Sequence, residues 1–540
     1  MKKILSILLL SLTFASVVKA QSQYQPYTYQ FYQKFNEDVY STKTRVHSSL
    51  KPFFIDDTLL SRRYNELMNL GVDTINRHGW VYRKLFNEHL VDIKNKDYTF
   101  YADFIGDGVV GNDITNKKST WINTRGFQFG GTIGKKFYFY TRAFESQAVF
   151  PAYYNTNINQ TGMIPGQGYD RNNGATKTKD WSDVAALISY TPNKYVNFTL
   201  GHDKNFIGDG YRSQLLSDYA AAYPFFKVTA NLGNVKYMVM WSYMNGEAYK
   251  DVNLTNGYTR KWGVFHYLDW NVNNRLSLGF FDSVIWGEAD LSGRYHGFDF
   301  AYANPIIFLR PVEANGGSQA NALIGFTGKY KLTDGITAYG QFALDEFVSA
   351  ELFSGTGSYR NKFAYQLGVR GANLFNVKSL NYLLEYNSAR PFTYSELKNS
   401  INYTSGGEPL AHPFGANYKE VIGLLNYSYK RFDFSVQGQY ARYGLDIGGL
   451  NYGKDIFKTY DTAAQLFGNY IGQGLTTDLY YTDFKVAYLL NPKYNLRIEV
   501  GALTRNEKNA VFTDRTTMLT IGLRSSFRAI YNDIASYKVH

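Results

Sequence analysis

The chain has 540 residues, including 48 Gly, 48 Tyr and 39 Phe but 12 Pro, and its formal net charge is +12. It contains no cysteine, which excludes disulfides, thiol catalysis and cysteine-ligated metals. Lys and Arg are scattered along the chain, so the positive charge favours anionic lipid headgroups or acidic glycans over nucleic acid as partners.

The first twenty residues are organised like a secretory signal peptide. Lys2 and Lys3 precede an apolar run at 4–10, and the tripeptide at 18–20 predicts cleavage before Gln21. After Gln21 no apolar stretch is long enough for a transmembrane helix. A membrane protein without such a helix must cross as a closed barrel, because lipid cannot satisfy open backbone groups.

Residues 21–97 differ in pattern from the rest of the chain. The segment 57–70 has apolar residues at helical spacing, and Asp57 is a candidate cap for a helix there. We expect residues 21–97 to form a small, partly helical element on the periplasmic side that plugs or braces the mouth of the barrel.

From Tyr98 to Phe527 the apolar residues recur with a period of two. At 196–201, for example, Val196, Phe198 and Leu200 alternate with polar or small residues, and the same alternation occurs at 432–437, 496–501 and 519–524. In a transmembrane barrel the apolar set faces lipid and the polar set faces the lumen. A succession of such hairpins without a separate core favours this fold over a soluble sandwich.

The connections between these strands alternate between short and long. Short turns are predicted at 131–135, 191–194, 232–234, 271–274, 331–335, 374–378, 429–431 and 491–494, and long loops at 149–182, 203–222, 246–258, 287–319, 348–361, 389–416 and 444–478. Bacterial barrels place short turns in the periplasm and long loops outside.

Eight short turns join sixteen strands, and a first strand near 98–106 and a closing strand near 515–527 make eighteen. The segment 295–303 would break this parity, so we place it in the excursion 287–319, outside or folded into the lumen. The predicted fold is an all-β transmembrane antiparallel β-barrel of about 18 strands over residues 98–527, followed by a C-terminal tail at 528–540.

Tyrosines and tryptophans near the strand ends are typical of the aromatic girdles that anchor barrels at the membrane interfaces. Candidates for such girdles are Trp121, Tyr140, Tyr237, Trp241, Trp262 and Trp286.

The densest cluster of unusual residues follows the strand at 196–201. It contains His202, Asp203, Lys204, Asn205, Asp209, Arg212 and Asp218. The glycines at 208 and 210 predict a sharp turn around Asp209. Two interpretations stay open: a ligand-binding or plug loop in the lumen, or an ordered loop whose charges pair with one another.

Motifs for catalysis or cofactor binding are not evident. There is no H-E-x-x-H helix, and the glycines at 106, 108 and 111 lack the following helix that a dinucleotide site needs. We therefore expect a protein that is not an enzyme and that holds no cofactor or metal. An outer-membrane hydrolase with a triad assembled from distant Ser, His and Asp residues remains an alternative.

The stretch from Gly201 to Gly210, followed by Leu215-Leu216-Ser217-Asp218, resembles the signature of Wzi-type capsule-assembly outer-membrane proteins. It resembles still more closely the RemB-like gliding-motility proteins of Bacteroidota. Two further stretches fit the same pattern: one is 123–126, which includes Arg125, and the other is 303–313, which includes Arg310 and Glu313. Asp209 stands where Wzi-like loops often carry Pro, and this difference favours the RemB-like side.

The resemblance implies an eighteen-stranded barrel in the cell outer membrane that anchors surface polysaccharide or takes part in gliding motility. Its candidate ligand-binding residues are the cluster at 202–218 together with Arg125, Arg310 and Glu313. The expected partners are outer-membrane lipid or lipopolysaccharide, a surface polysaccharide and an outer-membrane protein complex. Two alternatives remain, a porin or transport channel and an accessory subunit of a secretion or assembly complex.

Overall fold

The computed structural model of the chain describes residues 23–55, 58–73, 75–76, 78–172, 176–250, 256–289, 295, 297–308, 320–346, 351 and 355–539. Arg310, Glu313 and Asp57 lie outside these residues. No helix in the described part of the chain is long and apolar enough to cross a membrane.

The core of the structure is a closed antiparallel barrel of eighteen strands, in which the last strand pairs with the first. The strands, β1 to β18 in chain order, are Tyr98–Asp113, Lys118–Ile133, Phe137–Val149, Lys179–Asn193, Val196–Asp203, Tyr223–Leu232, Val235–Lys250, Asn256–Asn271, Leu276–Gly287, Ala320–Thr333, Ile336–Glu346, Lys362–Gly371, Leu380–Ala389, Tyr418–Tyr429, Phe432–Leu445, Leu475–Asn491, Leu496–Lys508 and Thr513–Arg524. A short strand, Val91–Lys94, pairs with the start of β1 beside this seam.

The predicted alternation, strand count and turns are confirmed. In β5, for example, Phe198 and Leu200 face outward and are exposed, whereas Asn197 and Thr199 face inward and are buried. All eight predicted short turns lie at one end of the barrel, which we call the turn end, and the long loops lie at the opposite loop end. The sequence did not predict two tight connections at the loop end, at 114–117 and 509–512.

Residues 23–55, the lumen plug, lie inside the turn-end half of the barrel. They include two short helices, α1 (Tyr29–Tyr32) and α2 (Asn36–Val39). Lys34 forms an ion pair of 2.7 Å with the inward-facing Asp433, and the backbone N–H of Thr42 donates to Asp334 in a short turn at 2.7 Å. The plug packs on α3 (Thr58–Met68), which confirms the predicted helix, and a further helix, α4 (Trp80–Phe86), follows.

The C-terminal tail also enters the lumen. The backbone N–H of Ser526 bonds to Tyr494 at the turn end, and Arg528 pairs with Asp107 of β1 at 2.7 Å. At the far end of the tail, the Tyr537 hydroxyl donates to the carbonyl of Pro413 in a long loop at 2.6 Å. The tail therefore runs upward through the barrel from the turn end to the loop end.

Residues 297–308, which we call the strap, lie outside the lumen along the outward-facing wall of β7, β8 and β9. Its 3-10 turn, Phe300–Ala303, stacks Tyr302 on Trp286 with ring centroids 4.3 Å apart. Wall side chains bond to the strap backbone: Trp241 Nε1 donates to the carbonyl of Tyr302 at 3.0 Å, and Phe308 N–H donates to Asp282 at 3.3 Å. Because the described residues 297–308 do not form a barrel strand, short turns and long loops continue to alternate on either side of them.

The strap covers several of the aromatic residues that the sequence assigned to membrane girdles. Trp286 is buried and Trp241 and Trp262 are half-buried, because Phe298 and Tyr302 pack on them. Tyr140 was also misassigned, because it points into the lumen and is buried against Tyr24 of the plug.

Candidate functional site

The cluster that the sequence singled out belongs to residues 204–222, which we call the inner loop because it folds from the loop end into the lumen. Phe206 and Ile207 form a two-residue β-ladder with Lys51 and Leu50 of the lumen plug. The N–H of Gly208 donates to the carbonyl of Ser49 at 2.7 Å, and Lys51 Nζ donates to the carbonyl of Gly208 at 2.7 Å. The inner loop and the plug thus close on each other inside the barrel.

Asp209 is the centre of this closure. Its carboxylate accepts hydrogen bonds from the hydroxyls of Tyr40 at 2.8 Å, Ser49 at 2.6 Å and Ser48, and Lys329 Nζ lies 3.6 Å away. Burial opposes ionisation, but Lys329, Lys51 and the serine hydroxyls outweigh it and hold the pKa of Asp209 well below its usual range. Asp209 is therefore a charged structural link rather than a free ligand group.

Arg212 lies three residues further on and is equally buried. Its guanidinium donates to Asp533 of the tail at 2.8 Å and to Glu420 of the barrel wall at 3.2 Å. Burial disfavours its charge, but the two carboxylates raise its pKa well above the usual value. The Glu385 carboxylate accepts the N–H groups of Tyr211 and Arg212, and a Cβ on Gly210 would collide with it. This glycine is thus required by the close approach of loop and wall.

The remaining inward-facing members of the cluster are also paired. Asp203 accepts from the Tyr24 hydroxyl and faces Arg142 at 3.7 Å, and Asn205 accepts from Lys227 at 2.8 Å. Lys204 donates to the carbonyl of Asp218 at 2.8 Å. The charges of the inner loop therefore pair mainly with the plug, the wall and the tail. Of the two interpretations, the ordered loop agrees better with these contacts, although most partners lie outside the loop.

Two of the predicted ligand-binding residues lie away from this cluster, on the outside of the barrel. His202 lies on the outer face of β5, because successive strand residues point to opposite faces, and its Nδ1 contacts the carbonyl of Val184 at 3.0 Å. Arg125 is also exposed on the outside of the barrel, on β2, where its ladder partner is Glu145.

Glu408 joins three of the long loops. Its carboxylate accepts the N–H of Gly166 at 2.6 Å and the N–H of Ala221 at 2.8 Å. Burial raises the pKa of Glu408 to about 7, although the two N–H groups and Lys204 act in the opposite direction. Burial also lowers the pKa of the neighbouring loop residue His412 to about 4, so it bonds to Glu420 as the neutral imidazole.

We expect the Glu408 junction to loosen as pH rises. Because its pKa is about 7 in the fold and 4.5 in an unperturbed chain, the folded state binds the proton more tightly. The stabilisation is complete below pH 4.5 and is lost as pH rises through 7, a change of about 3 kcal/mol. The hydrogen-exchange protection of the Gly166 and Ala221 amides, measured relative to their intrinsic exchange rates at each pH, should therefore be lower above pH 7 than below it. Glu408→Gln should remove this dependence, whereas the exposed Glu66→Gln should retain it.

Among the described residues, two of the lumen cavities lie beside the tail and have volumes of about 100 and 70 Å³. The first is lined at the turn end by plug residues, including Lys34, and the second reaches Trp121. Both are lined by Lys485, Glu499 and Arg524, and the Arg524–Glu499 ion pair measures 2.9 Å. The two cavities therefore adjoin each other along the wall formed by β16 to β18, at these three charged residues.

The loop end carries a surface that the sequence prediction missed. Residues 355–361 and 465–470 are held together by backbone hydrogen bonds, including Gly468 N–H to Thr356 at 2.8 Å and Asn469 N–H to Gly357 at 2.8 Å. Phe467 and Tyr470 are 54% and 62% exposed on this surface, which we call the outer platform. The only sequence signal is a pair of aromatics in a Gly-containing loop without periodicity.

Comparisons with known proteins concern the fold. No family model and no curated protein match the chain. Among solved structures it is similar to Wzi, described as an outer membrane protein involved in group 1 capsule assembly in Escherichia coli and a carbohydrate-binding β-barrel. The identity is 15%, the match covers 94% of this chain and 100% of that chain, and the TM-score is 0.54.

Two further solved structures are similar to the chain at lower TM-scores. The outer membrane protein OprD of Pseudomonas aeruginosa is 12% identical, with 78% of this chain and 94% of that chain covered and a TM-score of 0.39. OccAB2 of Acinetobacter baumannii is 11% identical, with 79% and 98% covered and a TM-score of 0.42. The similarity to Wzi shows that the two chains share the barrel fold over nearly the whole length of this one.

Proposed function

We propose that this chain is a cell-surface protein of the outer membrane that takes part in assembling or attaching surface polysaccharide, with a further role in gliding motility. The observation that supports this most is that the lumen plug, inner loop and tail occupy the barrel interior, while aromatic side chains are exposed at the loop end. Such a barrel is better suited to binding at its outer end than to conduction.

The general rule for bacterial barrels supports the orientation that this function needs. Short turns face the periplasm and long loops face the exterior. The outer platform would then lie on the cell surface, within reach of a polysaccharide. The resemblance of the 201–218 segment to Wzi-type and RemB-like proteins supports the same class of function, and the carbohydrate-binding description belongs to Wzi itself.

The chemistry of the outer platform fits a sugar polymer. Phe467 and Tyr470 present apolar ring faces, on which the C–H faces of sugar rings stack. Arg360 is an exposed cation on the same pair of loops and suits an acidic polysaccharide. Arg390 donates to the carbonyls of Asn361 and Asn469 and so fixes the two loops relative to each other. A rigid platform of this kind loses little conformational entropy on binding.

We expect Phe467→Ala combined with Tyr470→Ala to weaken binding of the host's purified surface polysaccharide roughly thirtyfold, since each of the two ring contacts contributes about 1 kcal/mol. Calorimetry or surface immobilisation of the polysaccharide measures the change. Phe375→Ala is the matched control, because Phe375 is 85% exposed at the turn end and should have no effect. A strain lacking the chain should lose capsule, spreading or adhesion, and an unchanged phenotype in all three would contradict the proposal.

The second candidate is a transport channel. The two cavities stacked beside the tail favour it, because they leave a discontinuous path along the wall of β16 to β18. A channel requires the tail, or the charged side chains around Glu499 that line both cavities, to move. Conductance measurements separate this candidate from a closed surface protein.

A further inference from the structure

The helix α4, Trp80–Phe86, exposes an apolar face at the turn end of the barrel. Val81, Leu85 and Tyr82 lie on one arc of the helix and are 61%, 46% and 43% exposed, and no residue of the helix is fully buried. Arg83 and Lys84 lie on the opposite arc. A helix on the surface of a soluble protein turns its apolar arc toward the core, whereas this helix turns its apolar arc outward.

Specific contacts hold the helix in this orientation. The side-chain amide of Asn491, which ends β16 at the turn to β17, donates to the carbonyls of Lys84 at 3.1 Å and Glu88 at 3.0 Å. Lys84 also pairs with Glu88 at 2.8 Å. The backbone at Lys84 and the C-terminal end of the helix are thus fixed to the barrel rim. On the apolar arc, Tyr82 stacks on His78 with ring centroids 4.0 Å apart, whereas Val81 and Leu85 stay exposed.

The lipid-facing surface of the barrel begins at the same level. Tyr488 and Ile498 face outward and are exposed within three residues of the turn that holds the helix. The chain leaves the helix through Leu90 into the short strand Val91–Lys94, whose Val91 and Ile93 are also exposed on the outer wall. Exposed apolar residues of the outer wall therefore lie both in the segment that follows the helix and beside the turn that holds it.

We propose that α4 is an interfacial anchor that inserts its apolar arc into the adjacent lipid leaflet. Aromatic and aliphatic residues on one side and basic residues on the other are the composition of helices that lie in the plane of a membrane interface. Trp80, which is 60% exposed, suits the headgroup level. The anchor ties the segment between the plug and β1 to the membrane, independently of what the outer platform binds.

The absence of native cysteine makes this testable by single-site labelling. The variants are Val81→Cys and Leu85→Cys on the apolar arc, and Arg62→Cys on α3 as control, because Arg62 has an exposed side chain on the polar side of its helix. Each purified protein is labelled with an environment-sensitive fluorophore in vesicles of phosphatidylethanolamine and phosphatidylglycerol. Nitroxide lipids with the spin label near the headgroup should quench positions 81 and 85 but not position 62.

A charged thiol reagent should modify unlabelled position 81 about tenfold more slowly than position 62, the factor that burial of one aliphatic side chain supplies. Equal quenching and equal reaction rates at positions 81 and 62 in vesicles would overturn the proposal. Protection of position 81 in intact cells but not in vesicles would also overturn it and would assign the arc to a periplasmic protein. A preserved heat-modifiable band shows that each variant retains the barrel.

Discussion

Truncation after Phe527 is expected to convert a silent barrel into a conducting one. The tail occupies the lumen beside the two cavities, with Arg528 and Ile530 lining the first and Ile530 and Asn532 the second. An eighteen-stranded barrel is wide enough for an aqueous channel once its contents are removed. Planar-bilayer recordings should therefore show no steady conductance for the full chain and discrete channels for the truncated one.

Removing residues 23–55 together with the tail should increase this conductance further, because the plug fills the turn-end half of the lumen. The matched control is Lys538→Ala, which leaves the tail in place. Each variant must keep the heat-modifiable mobility of a folded barrel. Large conductance of the full chain, equal to that of the doubly truncated one, would instead support the transport channel.

Arg212→Met is expected to cost about 3–5 kcal/mol of stability, because it leaves two buried carboxylates, Glu420 and Asp533, without their shared cation. Methionine keeps much of the side-chain volume, so the loss reports charge rather than packing. Urea unfolding of the reconstituted protein measures the change. The inner loop and the tail should also become more sensitive to protease, since Arg212 joins them.

Arg360→Met is the matched control, because this arginine is exposed at the loop end and its replacement should change stability by less than about 0.5 kcal/mol. Arg212→Lys keeps the charge but loses the planar fork, so it should fall between the two. Equal stabilities of Arg212→Met and Arg360→Met would show that the buried ion pairs contribute nothing net to the fold.

The barrel could be predicted from the sequence because its environment imposes a simple pattern. Lipid outside the wall requires apolar residues at every second position, as at Phe198 and Leu200, and hairpins alternate between the two ends. The contents of the lumen could not be predicted in this way. The hydrogen bond between Tyr40 and Asp209 joins residues 169 positions apart. Neither segment has a periodic pattern from which the other could be predicted as its partner.

For the candidate site, the unusual charges around Asp209 and Arg212 marked the loop that the structure folds into the lumen, but charge alone does not distinguish a ligand site from a buried ion pair. The sequence also contained a signal for the strap that was overlooked. His266 and Asp282 occupy outward positions of β8 and β9 among apolar neighbours, and polar groups there require a covering partner.

The strap gives the barrel a distinguishable side. A plain cylinder offers nearly the same surface in every direction within the membrane plane, so its neighbours have no reason to approach from one side. Here the wall of β7 to β9 carries a second layer, from which Phe300 and Ile306 project. Neighbouring proteins in a crowded membrane therefore contact a raised surface on one side of the barrel and bare strands on the other. The two sides are not equivalent, so neighbours can pack against this barrel in a preferred orientation.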